Sequence, residues 1–264
     1  MRRPPFDAMR KTRCHCPGSA PMTPTPDTHI VSSYDEELRK LDGRIQQMGG
    51  LAIAQTRDAI EVILGRHPDV AARIFVREDE MNGLEHQVNE QVVRLLALRQ
   101  PVADDLRTVI TGLKVSGMLE RVGDYAANAA KRGLTLQDAA PIPVRGPVSR
   151  MGDLVIAMLD DALKAFQTRD ADLACQVRDR DAEVDELHSS LFRELLTYML
   201  EDPRSISACS QLMFVSKNLE RVGDQATNVA EAAYYRSTGR ILAGERPKSD
   251  TTTQTTEASP GLPH

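Results

Sequence analysis

Leu119-Glu120-Arg121-Val122-Gly123-Asp124 recurs unchanged as Leu219-Glu220-Arg221-Val222-Gly223-Asp224. The match widens on either side: Val115 to Ala130 agrees with Val215 to Ala230 at 11 of 16 positions, where chance would supply about one. Further upstream the offset becomes 103, pairing Met48-Gly49 with Met151-Gly152, Asp58-Ala59 with Asp161-Ala162, Ala71 with Ala174 and Leu84 with Leu187. Arg66 with Arg169 and Asp69 with Asp172 keep the same register. The chain is therefore one unit written twice.

Each unit reads as three helices. In the first, Leu38, Leu41, Ile45, Met48, Ala52, Ala59, Ile60 and Ile63 keep the 3-and-4 spacing of an amphipathic helix over residues 33–65, and Ser33 with Glu36 forms a capping-box pattern. A second helix is predicted from Pro68 to Leu98, ending before Gln100-Pro101, and a third from Asp104 to Leu134. Pro141, Pro143, Gly146 and Pro147 interrupt the pattern. It restarts near Val148, breaks near Thr168, resumes by Ala171, breaks at Asp202-Pro203 and ends near Thr238. The expected organisation is a disordered tail over 1–31, a first three-helix repeat over 32–136, a linker over 137–147, a second repeat over 148–240 and a disordered tail over 241–264. Met22 opens a more ordinary amino terminus than Met1. The fold class is all-α: two tandem, similar three-helix bundles with spectrin-repeat-like helices.

Composition supports this. Hydrophobic residues make up 41% and aromatics 4%, with no Trp, which favours helices packed on aliphatic side chains. A net charge of -5 argues against binding nucleic acid through bulk electrostatics. Cys14, Cys16, Cys175 and Cys209 are not spaced as a zinc site or disulfide framework. The basic N-terminus lacks the apolar stretch of a secretory signal, and no apolar run nears the 18 residues of a span, so a cytoplasmic protein is expected.

Most matched positions are explained as core, with Gly49 and Gly152 allowing close helix approach. The matched acids are not so easily explained. On helix three, Glu120 and Asp124 continue the face of Leu106, Ile110, Leu113 and Gly117, expected to point inward, while Val115, Leu119, Val122 and Ala126 make the other side apolar too. Glu220 and Asp224 repeat this. Acids one turn apart repel when ionised and dry, so a cation, a buried Arg or Lys, or solvent must compensate. Helix two offers Glu78 and Asn82 in the first unit against Asp181 and Asp185 in the second, then Glu85 against His188. Oxygen donors with one imidazole suit Mg, Mn or Fe better than a thiolate-bound metal. Other readings stand beside this one: Glu78 as a surface acid, His188 as an ordinary half-exposed helix residue, Arg121 and Arg221 as neutralising partners on neighbouring helices, Asn128 and Asn228 as helix-to-helix hydrogen bonders or outer ligands.

With both Leu-Glu-Arg-Val-Gly-Asp segments, Asp105-Leu106-Arg107 after Gln100-Pro101, and Glu201-Asp202-Pro203 in place, the chain resembles the PhoU family over about residues 32–236. The resemblance implies a non-catalytic, cytoplasmic, homodimeric regulator of phosphate homeostasis, touching the membrane only through partners. Those partners would be the ATPase subunit of the high-affinity phosphate ABC transporter (PstB-like) and a phosphate-sensing histidine kinase (PhoR-like), with the starvation response repressed when phosphate is plentiful. It also implies Mg, Mn, Fe or Zn held by acid-x-x-x-Asp motifs, here Glu120 with Asp124, Glu220 with Asp224, and Asp181 with Asp185, none strictly required. Asn82 breaks the motif in the first unit, so that site is expected to be weaker. The alternatives are a carboxylate-bridged di-iron bundle, for which Asp185-x-x-His188 is the one candidate pairing, and a plain helical spacer.

Overall fold

The computed structural model describes residues 26–65, 70–136 and 142–242, and among these there is no β-strand. Seven helices follow in order: α1 (Pro26–Ile63), α2 (Ala71–Arg99), α3 (Ala103–Thr135), α4 (Arg145–Thr168), α5 (Ala171–Asp179), α6 (Asp181–Glu201) and, after a 3-10 turn at Pro203–Ser205, α7 (Ile206–Thr238). The first repeat is α1–α3; the second is α4–α7, with α5 and α6 together taking the place of α2.

The boundaries differ from the sequence expectations in three places. Pro26, not Ser33, opens α1, so residues 26–31 are helical rather than tail, and Ser33 lies inside the helix. Glu36 forms an ion pair with Lys40 (2.8 Å) instead of closing a capping box. The start expected at Pro68 and residues 137–141 of the expected linker lie outside the described residues, but residues 145–147 belong to α4, with Pro147 in the first turn, where a missing N–H is harmless. The long helix expected after Ala171 is split at Arg180, whose N–H reaches Val177 O (3.2 Å) in a tightened turn while its guanidinium pairs with Asp161 (2.8 Å). The ends near Thr168 and Thr238 stand as read. Gly239 closes α7 in the left-handed conformation (φ 70°) that glycine tolerates.

The two repeats share one continuous core running from Leu41 and Met48 through Leu119 and Val122 to Met151, Phe166, Leu219 and Val222. α3 and α7 pack along their lengths in antiparallel fashion. Arg132 near the end of α3 bonds Gln211 near the start of α7 (3.0 Å), and Gly239 after α7 lies against Arg107 at the start of α3. α1 and α4 cross through a reciprocal contact. A Cβ on Gly49 would lie 2.7 Å from Leu163 Cδ1, and one on Gly152 closer still to Ile60 Cδ1. Gly49 matches Gly152 and Ile60 matches Leu163 at the offset of 103, so the repeats meet about a pseudo-twofold axis.

One contact breaks that symmetry. Arg236, 5% exposed, pairs with Asp42 of α1 (2.8 Å), donates to Phe166 O (3.2 Å) and stacks on the Phe166 ring (4.4 Å). Its counterpart in the first repeat is Leu136. Of the cysteines, Cys175 is half-buried and Cys209 buried, both as thiols.

Candidate functional site

In the first repeat the acids of helix three do not face inward as expected. In α3 the buried side carries Val115, Leu119, Val122 and Ala126, as expected of the second apolar stripe, while Leu106, Ile110, Leu113, Gly117, Glu120 and Asp124 form a half-exposed flank. The reason is tertiary: α1, α2 and α7 all pack on α3 and leave that flank at the edge.

In the first repeat this flank is an acidic edge shared with α2. Glu120 is half-buried, and burial, followed by the nearby charges of Asp124 and Glu85, pushes its carboxyl above the ordinary range, with Arg121 pulling weakly back. Glu85 thus joins Glu120 and Asp124. Glu78 is half-buried, whereas Asn82 and Asn128 are exposed.

In the second repeat the equivalent residues are drawn inside. Asp181, Asp185, His188 and Glu220 are buried, and Asp224 and Asn228 half-buried. Asp181 Oδ1 accepts from the Thr227 hydroxyl (3.0 Å), and His188 Nδ1 shares a 2.7 Å hydrogen bond with Ser216 Oγ. His188 is therefore an interior residue, contrary to its reading as a half-exposed one. Burial is the main cause raising the Glu220 carboxyl, with Asp224 and Asp185 adding to it, so acids from α6 and α7 do converge.

The compensating cation was missed. Lys217 Nζ stands 2.7 Å from Glu220 Oε1, while the buried Oε2 has no hydrogen-bond partner. Lys217-x-x-Glu220 is an ordinary one-turn spacing, visible in the sequence; the first repeat has Gly117 at the matched position. Arg121 and Arg221 do not neutralise acids across helices. Both are exposed, neither closes an ion pair among the described residues, and Arg221 lies over the Tyr125 ring (5.7 Å).

The donor set is carboxylate oxygen with one imidazole, the type that suits a hard or borderline divalent ion. Glu220 Oε2 lacks a hydrogen-bond partner, and burial first, then neighbouring acids, raises the Glu120 and Glu220 carboxyls, so a cation beside them would be favoured. Among the described residues, no three His, Cys, Asp or Glu side chains stand as a ready-made metal cage. No helix among them is long and apolar enough to cross a membrane.

An all-α chain made of two fused three-helix units, each with the same pair of acids on its last helix, defines the class of protein. The PhoU domain model matches it twice, over residues 45–133 and 148–233. The phosphate-specific transport system accessory protein PhoU homolog of Caulobacter vibrioides is 45% identical over 227 residues, covering 86% of this chain and 99% of the relative. The homolog from Xylella fastidiosa is 42% identical over 224 residues, covering 85% and 93%. The crystal structure of PhoU from Pseudomonas aeruginosa superposes with a TM-score of 0.76 at 37% identity, covering 78% of this chain and 100% of that one. PhoU from Streptococcus pneumoniae gives 0.73 at 28%, covering 80% and 99%. The chain belongs to the PhoU family.

Proposed function

We propose that this protein is a non-catalytic, cytoplasmic regulator of phosphate transport that couples the high-affinity phosphate ABC transporter, through its ATPase subunit, to a phosphate-sensing histidine kinase, and represses the starvation response when phosphate is plentiful. The observation that carries this is the fusion of two PhoU units on one core, in relatives whose names place them as accessory to phosphate-specific transport. An accessory role needs surfaces held in fixed relation, and the antiparallel α3–α7 pair with the Gly49/Gly152 crossing holds them so. It acts as a homodimer in this reading.

The metal component rests on the acids. Asp181, Asp185, Glu220 and Asp224 would hold a divalent ion in the second repeat, with His188 beside them and Lys217 giving way. Glu85, Glu120 and Asp124, with Glu78 at the margin, would hold one more weakly in the first. The ion would supply positive charge that draws α6 to α7, and α2 to α3, stiffening the faces offered to partners.

Two experiments test this. Deleting the gene makes alkaline phosphatase constitutive in phosphate-rich medium, and the tagged protein retains the transporter ATPase; normal repression without the gene overturns the regulatory reading. Calorimetric titration of metal-free protein with Mn shows saturable heat that Glu220→Gln with Asp224→Asn removes. Identical weak heats overturn the metal reading alone.

A further inference from the structure

A groove of about 360 Å³ runs between α1 and α2 of the first repeat, lined by Glu37, Lys40, Arg44, Gln87, Glu90, Gln91, Arg94 and Leu95. It is separate from the acidic edge between α2 and α3. We infer that it binds a small phosphate-bearing anion through Arg44, Arg94 and Lys40.

The groove's three cations outnumber its two carboxylates, and one of those two already has a cationic partner. Glu37 accepts from Arg99 (3.3 Å), while Glu90 meets only His86 Nε2 (3.3 Å) in an exposed contact. Arg44, in contrast, bonds only the amide oxygen of Gln91, a neutral group, and keeps its full charge unopposed. Gln91 in turn donates to the Glu37 carbonyl (2.6 Å), so the amide cannot turn and Arg44 is held in place. Arg94 is exposed and has no hydrogen-bond or ion-pair partner among the described residues. Lys40 is tied only to Glu36, an exposed pair that water or a ligand displaces readily.

The duplication supplies a control within the chain. At the offset of 103, Lys40 becomes Pro143, Arg44 becomes Pro147, Arg94 becomes Thr197 and Gln91 becomes Glu194. The second repeat folds to the same architecture with none of these cations, so the scaffold does not need them. Two guanidiniums, an ammonium and amide N–H groups around one cleft match the several oxygens of a phosphate better than the two of a carboxylate. The volume exceeds what orthophosphate fills and accommodates pyrophosphate or a nucleotide's phosphates with part of the nucleoside.

The test titrates the full-length protein with orthophosphate, pyrophosphate and ATP at fixed ionic strength, with sulfate as the comparison anion. In parallel, vesicles of phosphatidylcholine with or without phosphatidic acid are assayed by sedimentation, which separates a free phosphate from a lipid-borne one. Saturable binding of pyrophosphate or ATP, tighter than sulfate and weakened about tenfold by Arg44→Gln or by the surface variant Arg94→Gln, is expected. Arg204→Gln, the same charge change on the 3-10 turn before α7, leaves it unaltered. Binding of phosphatidic acid vesicles alone, lost in the same two variants, would assign the groove to a lipid phosphate. No binding to any probe, or equal weakening by Arg204→Gln, overturns the inference.

Discussion

Replacing Lys217 with Met should destabilise the protein in a strongly pH-dependent way. The lysine ammonium stands 2.7 Å from Glu220 Oε1, on a side chain only 8% exposed whose second oxygen has no partner. Methionine keeps the aliphatic stem and removes the charge. Stripping one member from a buried pair costs about 3–5 kcal/mol; because Lys217 is itself 39% exposed, water replaces part of it, and about 1–3 kcal/mol is expected at pH 7. The cost falls on the ionised carboxyl alone. Glu220 already titrates above the ordinary range because of burial, then Asp224 and Asp185, against the opposing pull of Lys217; losing the lysine raises it further. A group with a raised folded pKa contributes stability below its unfolded pKa and loses it as pH rises through the folded value. The deficit of Lys217→Met should therefore be smaller at pH 4 than at pH 7. Urea unfolding at both pH values measures it, and adding Glu220→Gln should restore most of the loss. If Mn takes the place of the ammonium, it should also raise the unfolding midpoint more in Lys217→Met than in the unaltered protein. An equal deficit at both pH values, or no recovery from Glu220→Gln, would refute the reasoning.

Three further outcomes are expected. Gly117→Lys copies the second repeat's cation into the first; it should lower the Glu120 titration, seen by NMR of the side-chain carboxyl, and weaken Mn binding at that flank. Helical glycines divide by their surroundings. Gly83→Ala and Gly117→Ala meet nothing within 4 Å and should stabilise by about 0.5–1 kcal/mol, whereas Gly152→Ala drives into Ile60 and Gly133→Ala reaches the Ile63 backbone at 3.0 Å, each costing about 1–3 kcal/mol in urea melts. Arg236→Met removes the bonds to Asp42 and Phe166 O from a buried site and should cost about 1–3 kcal/mol; Asp42→Asn, with its acid 36% exposed, should cost under about 1.

The repeat, its register and the ends at Thr168 and Thr238 were legible because each is local or periodic. The facing of α3 was not. Both sides of that helix carry apolar residues, and only the packing of α1, α2 and α7 around it decides that Val115, Leu119 and Val122 go inside while Glu120 and Asp124 stay at the edge. The bend at Arg180 was hidden for a related reason: the apolar spacing continues through it, and the ion pair to Asp161 depends on how α4 lies. In the candidate site, the acids could be picked out by their duplication, but Lys217 could not, because a search for matched residues passes over a position occupied by glycine in one copy. Burial of His188 likewise follows from Ser216 standing opposite on α7, which helix two alone does not reveal.

Duplication separates two kinds of selection within a single chain. Positions that must match to build the crossing do match, as with Gly49 and Gly152, and Ile60 differs from Leu163 only by the branching of an aliphatic side chain. Once two copies share a scaffold, a charge present in one and absent from the other cannot be a requirement of that scaffold. Lys217 against Gly117, Asp185 against Asn82, Arg44 against Pro147, Arg94 against Thr197 and Arg236 against Leu136 all satisfy this condition. Arg236 has a structural account in joining α7 to α1 and α4. The others place a buried acid cluster with Lys217 paired to Glu220 in the second repeat, and an open acidic edge with a separate cationic groove in the first. The two halves thus present different electrostatic faces from one architecture. The proposed coupling of two unlike partners would draw on that difference, and a symmetric spacer would not.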